Sequence, residues 1–310
     1  MSTRISTRHM QMMVAIADAG SVAEAAQTLG LTQSALSHRI KEAERLLNTE
    51  LFYRKHKKLA PTSAGKRLLH SSRLVLGEIE RAEQDINKLS VGIEHVVRLG
   101  NESYGGYHWL PACLTAFSRD YPSISVEIIP DVSLDPCTAL RSGRIDLALV
   151  SGGHPPEGFA HRLLFRDELR LVMPEGHALA GKPWVDAAEV AAGTYVTYHT
   201  TPGKGREYEQ LFSRYRMLPV RVLRAGVTEA VIALVREGFG LTIMPSWTLQ
   251  PYLAQGGLTT ARVTEEGLYI DWHLLSRKDE RADSPTGKFS DCLAGLYQGS
   301  GPATTQPATQ

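Results

Sequence analysis

Two groups of residues in this sequence could do chemistry, and they lie far apart along the chain. Near the start, Thr32, Gln33, Ser34, Ser37, His38 and Arg39 are crowded together, and Arg54, Lys55, His56, Lys57 and Lys58 follow as a cationic run. Lys and Arg neutralise phosphates and release counterions, while Gln, Arg and Ser carry donor and acceptor patterns that read major-groove base edges. Together they point to double-stranded DNA, although the cationic run alone would also suit a solvated loop. The second group, Glu102, Ser103, Ser133, Asp135, Thr200 and Thr228, consists of carboxylates and hydroxyls suited to a small polar ligand.

Other chemistries find little support. His154, His161, His177 and His199 lack metal-ligand spacing, and no nucleophile elbow, Walker loop, complete dinucleotide fingerprint or HExxH helix occurs. Ser103, His108 and Asp135 can be drawn as a triad on paper, but triads are geometric and do not follow from scattered residues. The expectation is a non-enzyme without metal or cofactor. Three cysteines, Cys113, Cys137 and Cys292, exclude a disulfide scaffold and fit a reducing compartment. A thiol redox sensor built on Cys113 and Cys137 is the competing class, but their apolar neighbours suit buried, inert thiols.

The chain has 310 residues, 43% hydrophobic and 22% charged, which suits two or three globular domains. Its net charge of +1 hides an asymmetry: residues 1–73 hold twelve cations against five acids. A basic head on an acidic body implies a polyanion bound at one end. No apolar run approaches the roughly 20 residues needed to span a bilayer. Arg4, Arg8 and Met10–Ala17 imitate a signal peptide, but the apolar part is short and broken by Gln11. It reads as the first helix of a cytoplasmic domain.

Helical periodicity dominates the head. Met10, Met13, Val14 and Ala17 share a face, Gly20 ends that helix, and Ser21 with Glu24 has capping-box form. After Gly30, Thr32 caps a helix to about Leu47 that can bury Ala35, Leu36, Ile40, Ala43 and Leu47. Two helices joined by a short Gly-containing turn describe a helix-turn-helix, with the second as recognition helix. Leu51–Leu59 reads as a β-ribbon wing. Pro61-Thr62 then starts a helix through Leu89 in which Leu68, Ser72, Val75, Ile79, Ala82, Ile86 and Leu89 form a seam. Leu68, Val75, Ile79, Ile86 and Leu89 would pair it with a second copy, or the helix lies on its own domain.

From Val96 the pattern becomes α/β. Strand-like runs at 96–99, 125–129, 145–150, 169–173, 195–198, 220–223 and 268–275 alternate with helical segments at 107–121, 136–142, 204–215 and 229–237. Such alternation implies mostly parallel sheets in two small lobes with a cleft between them. Asp135-Pro136 is a helix start, and Ser133 lies just before it, where amides attract an anion. Thr228 reads as a helix cap or a cleft hydroxyl. The expected organisation is a winged helix-turn-helix at 1–62, a linker or dimerisation helix at 63–91, a two-lobed effector domain at 92–298, and a disordered tail at 299–310.

The residues also resemble a known family. Gly20–Ala26, Leu31–Ser37, Leu51–Arg54 and Pro61–Gly65 are similar to the LysR-type transcriptional regulators. So are Leu110-Pro111, Phe117 to Pro122, Gly143–Ala148 and Gly238–Pro245, in the expected order over about residues 8–298. The resemblance implies a winged helix-turn-helix, a periplasmic-binding-protein-like effector domain, and dimers of dimers on an interrupted palindrome. Glu102, Trp109, Val132–Pro136 and Ser34–His38 further resemble the branch that regulates methionine-biosynthesis genes, whereas Tyr104, Gly105 and Gly106 depart from it. That branch implies homocysteine or a related small sulfur amino acid. Glu102, with or without Asp135, would take its ammonium, Ser133 and nearby amides its carboxylate, and Trp109 and Leu134 its stem. An organic acid is the rival effector.

Overall fold

The protein's structure, a computed structural model, describes residues 3–55, 58–102, 107–152, 155–198 and 205–298. The chain divides into two compact units at Gly92. Lys57, Ser103, Thr200 and the tail at 299–310 lie outside the described residues.

In the first unit, α1 (Thr7–Ala19), α2 (Val22–Thr28) and α3 (Gln33–Leu47) pack around Met12, Met13, Ile16, Ala25, Leu36 and Ala43. The buried face of α1 is His9, Met12, Met13 and Ile16, one step away from the expected Met10, Val14 and Ala17. A helix tolerates that rotation because apolar residues flank both stripes, and Ile16 outranks Ala17 in apolar area. Gly20 (φ 69°) supplies the left-handed turn between α1 and α2. Ser21 Oγ accepts from the Glu24 amide at 3.2 Å, and Thr32 Oγ1 caps α3 from the Ala35 amide at 3.2 Å. Ala35 is exposed rather than buried, leaving Leu36 and Ala43 as the fully buried residues of α3.

β1 (Phe52–Lys55) and β2 (Lys58–Pro61) form the expected antiparallel ribbon, with Phe52 opposite Pro61 and Lys55 opposite Lys58. Glu44 Oε1 of α3 accepts from the Leu51 amide at 2.8 Å, which ties the ribbon to the helix. α4 (Ser63–Leu89) divides the seam in two. Ala64, Leu68 and Leu69 pack on the core of the unit, whereas Val75 and Ile79 are each 39% exposed and Ile86 and Leu89 more so.

In the second unit, the first lobe contains β3 (His95–Asn101), α5 (Leu110–Asp120), β4 (Ile124–Ile128), α6 (Pro136–Arg141) and β5 (Leu147–Gly152). β4, β3 and β5 are parallel neighbours. β6 (Ala160–Pro174) then leads into the second lobe. There β7 (Trp184–Val185), α7 (Ala187–Ala191), β8 (Thr194–Thr197) and β9 (Arg221–Arg224) precede α8 (Thr228–Arg236), β10 (Thr242–Pro245), α9 (Ser246–Leu253) and β11 (Leu258–Val263). β12 (Leu268–Ser276) returns to the first lobe, where α10 (Pro285–Gln298) sets Phe289 against Phe117 of α5 at 4.9 Å.

The sheet is more mixed than expected. β12 runs antiparallel to both β5 and β6, and β10 and β11 run antiparallel to β6, while β8–β9 and β7–β11 are parallel. The segment expected as a helix at 204–215 is a π-helical turn at Tyr208–Ser213. Among the described residues no helix is long and apolar enough to cross a membrane.

The start of α4 gives a paired stability prediction. A Cβ at Gly65 would lie 2.0 Å from the Leu51 carbonyl oxygen, whereas one at Gly77 of the same helix meets nothing within 4 Å. Gly65→Ala should lose roughly 1–3 kcal/mol by overpacking, and Gly77→Ala should gain roughly 0.5–1 kcal/mol of helix propensity. Urea unfolding of the full chain would show the two midpoints moving in opposite directions.

Candidate functional site

The first candidate surface follows from how α3 is packed. With Leu36 and Ala43 inward, Gln33, Ser34 and His38 are exposed and Ser37 and Arg39 half-buried, all near the N-terminal end. Thr32 is exposed as well, although its hydroxyl is engaged as the cap and lies 3.1 Å from Ser34 Oγ. Arg54, Lys55 and Lys58 lie on the ribbon strands β1 and β2 within the same unit. A helix with a polar N-terminal end followed by a two-stranded ribbon is the element order of a recognition helix and wing.

The second candidate is a cleft of about 390 Å³ in the second unit. It lies at the carboxyl ends of the parallel strands, where the chain leaves the sheet and side chains from separate elements converge. Glu102 follows β3, Tyr107 and His108 precede α5, and Pro130 and Ser133 follow β4. The second lobe adds Val227, Thr228 and Glu229 at the start of α8, and Thr248, Pro251 and Tyr252 of α9. Glu102, Ser133 and Thr228 are therefore brought together as expected. Among the described lining residues there is no Lys or Arg.

Asp135 stands elsewhere. Its carboxylate accepts from the Thr138 amide at 3.0 Å as the cap of α6, and its bonds to Thr138 hold it below the usual carboxylate range. The amides of α6 are thus served by their own cap. The N-terminus open to the cleft is that of α8, whose cap residue Val227 offers no side-chain hydrogen bond. Thr228 is the first residue inside α8 rather than its cap, and its hydroxyl donates to Tyr198 Oη at 3.3 Å. Leu134 is 72% exposed and Trp109 is packed on Trp247 at 5.9 Å, so neither lines the cleft. Its apolar walls are Tyr107, His108, Pro130, Pro251 and Tyr252.

Glu102 has partners the sequence did not reveal. Its Oε2 accepts from the Ser151 amide at 2.8 Å and the Ser151 hydroxyl at 3.3 Å, and it pairs with Arg206 of the second lobe. Its Oε1 accepts no hydrogen bond from the described residues. Arg206 is 104 positions away in the chain, and no periodicity or motif links the two.

The remaining walls are held by packing. His108 stacks edge-on to Trp247 at 5.3 Å, and burial lowers its imidazole pKa, favouring the neutral ring. Burial raises the Tyr107 phenol, against a hydrogen bond from Asn101. It also raises Tyr252, whose hydroxyl donates to Glu229 at 3.3 Å. Asp167 of β6 accepts from Ser246 Oγ at 2.5 Å and the Trp247 amide at 3.1 Å, pinning the start of α9 to the strand that joins the lobes.

Little here resembles catalysis or redox sensing. Asp135 is bonded to Thr138 and His108 stacks on Trp247, so among the described residues no hydrogen bond joins these two, and Ser103 lies outside the described residues. Among the described residues no cluster of His, Cys, Asp or Glu could hold a metal. Burial pushes the Cys113 thiol up to about 12 and raises Cys137 and Cys292. Such thiols carry little of the thiolate that reacts.

Comparison with known proteins covers both units. The family of the bacterial regulatory helix-turn-helix protein, lysR family, matches residues 7–66, and the LysR substrate binding domain matches residues 91–297. The HTH-type transcriptional regulator MetR of Haemophilus influenzae is 30% identical over 280 residues, covering 90% of each chain. The regulatory domain of MetR (NMB2055), a LysR family regulator from N. meningitidis, has 24% identity and a TM-score of 0.58, over 67% of this chain and 96% of that one. Full-length CbnR, solved with its target DNA, has 19% identity and a TM-score of 0.73, over 93% of this chain and 99% of that one. These relatives are named as transcriptional regulators and not as enzymes. From its helix-turn-helix through its two-lobed regulatory domain, the chain belongs to the LysR family of transcriptional regulators.

Proposed function

We propose that this regulator responds to homocysteine or a related small sulfur amino acid bound in the cleft, and that the response is read out on DNA. The observation that carries the effector is Glu102: one oxygen is anchored by Ser151 and Arg206, while the other is left without a described donor in a residue lining the cleft. An ammonium is the complement of such an oxygen. The start of α8, where Val227 gives no side-chain cap bond, together with Ser133, suits the carboxylate of the same ligand. The aromatic and proline walls suit a short thiol or thioether stem. The resemblance of Glu102, Trp109 and Val132–Pro136 to the methionine-biosynthesis branch implies the same ligand class. Calorimetry of the full chain should show binding heat with homocysteine; heat only with organic acids would assign the cleft to that rival class.

On DNA, Thr32, Gln33, Ser34, Ser37, His38 and Arg39 meet base edges and phosphates, and Arg54, Lys55, Lys57 and Lys58 of the wing meet phosphates. The exposed stripe Val75, Ile79, Ile86 and Leu89 supports pairing of α4 with a second copy, with Leu68 at its inner end. Dimers, and dimers of dimers, then suit an interrupted palindrome in the cytoplasm.

Specificity and affinity should separate by residue. Gln33→Ala or Ser37→Ala should change sequence preference, each lost base contact costing roughly 1–3 kcal/mol. Lys57→Ala should weaken all sequences alike and flatten the salt slope by about one unit. Titrations of specific and random duplexes at several salt concentrations would show this, and equal losses for all three variants would reject the assignment.

A further inference from the structure

A second cavity, of about 390 Å³, lies within the second lobe and shares no described lining residue with the cleft. Three short segments wall it. Trp184 belongs to β7 and Asp186 caps α7; Tyr215 and Met217 follow the π-helical turn; Thr264, Glu265 and Glu266 form the turn after β11. The Thr264 amide donates to the Val185 carbonyl at 2.8 Å, which fastens that turn to β7.

Thr264 is the group this cavity leaves unsatisfied. The residue is only 9% exposed, yet among the described residues its hydroxyl makes no hydrogen bond. It also holds φ at 60°, a conformation that β-branched residues rarely adopt. Buried hydroxyls are nearly always partnered, so one lining a cavity marks a place for a hydrogen-bonding ligand atom.

The surrounding charges select that atom. Asp186, Glu265 and Glu266 line the cavity, and among its described lining residues there is no Lys or Arg. Asp186 is engaged as a cap, accepting from the Glu189 amide at 2.8 Å, whereas Glu265 and Glu266 are exposed and form no ion pair with the described residues. The apolar wall is open as well: Trp184 is 40% exposed and Met217 37%. Tyr215 already carries the Arg214 guanidinium 5.7 Å from its ring centroid, which leaves Trp184 as the ring for an incoming cation. An anion would be repelled here, and a wholly apolar molecule would leave the hydroxyl unpartnered.

We propose that this cavity is a second ligand site, separate from the cleft, which takes a small aliphatic amine in its ammonium form. The stem lies against Trp184 and Met217, and the ammonium donates to the Thr264 hydroxyl beside the Glu265 and Glu266 carboxylates.

Trp184 supplies the readout. Trp109, Trp247 and Trp272 are buried, so the tryptophan emission that acrylamide can quench comes from Trp184, and Trp184→Phe should remove it. The full chain is titrated at low salt with butylammonium chloride, with 1-butanol as the probe that has only the stem and ammonium chloride as the probe that has only the charge. Butylammonium should protect Trp184 from acrylamide at concentrations about tenfold below either partial probe. Replacing both carboxylates, Glu265→Gln with Glu266→Gln, should weaken that protection about tenfold. Thr264→Val should weaken it severalfold while leaving the urea midpoint unchanged or raised, because the hydroxyl has no protein partner to lose. Protection by 1-butanol at the same concentrations would make the cavity a plain apolar patch, and protection by ammonium chloride would reduce the effect to screening. Either result would overturn the proposal, as would protection that survives both the paired carboxylate change and Thr264→Val. The absence of any protection by butylammonium would reject it outright.

Discussion

The antiparallel pairing of β6 with β12 is the constraint on which the regulatory unit depends. Leu268 opposite Leu169 and Ser276 opposite Ala160 mark the ends of one ladder that runs through both lobes, irregular only at Trp272 and His273. β5 joins one side of this ribbon and β11 and β10 the other, so each lobe is built outward from the same two strands. Phe165 and Trp272 face each other on the ribbon, and Trp247 of α9 packs on both at 5.0 and 5.1 Å. Trp109 and His108 of the first lobe reach the same ring. A close-packed aromatic hub of this kind transmits displacement, because it has no slack to absorb it. Thr248, next to Trp247, lines the cleft, so ligand contacts and the hub are neighbours in sequence and in space.

The DNA-binding unit was legible because its signals are local. Thr32 before a periodic run, glycines at the turns, and a cationic tip between β-rich residues each specify geometry within a few positions, and α3, the ribbon and α4 appear where they predict. The face of α1 was misread because two adjacent apolar stripes compete on one helix and only tertiary contacts choose between them. The seam of α4 concealed a division: the sequence period continues through Leu68 and Leu89 alike, but only the first end has a core to lie on.

The regulatory unit was legible in class and less so in detail. The first half of β6 is punctuated by Arg162, Arg166 and Asp167, which masks its strand pattern, and β10 is a run of four buried residues too short to carry a period. Glu102, Ser133 and Thr228 were found because carboxylates and hydroxyls near element ends are visible as types. Tyr252, and the pairing of Arg206 with Glu102, were not, since both depend on the chain's return from a distant lobe. Asp135 shows the converse: an Asp before a Pro is first of all a helix cap, and here the cap bond to Thr138 consumes it.

The cleft lies between lobes that share the β6–β12 ribbon, and the recognition helix belongs to the other unit. The most direct measurement is DNase footprinting of the full-length protein on a fragment containing its operator, with and without saturating homocysteine. The amino acid should change the protected or hypersensitive positions, or the concentration at which protection appears. Identical footprints and identical midpoints, at a concentration where calorimetry shows the cleft to be filled, would contradict it.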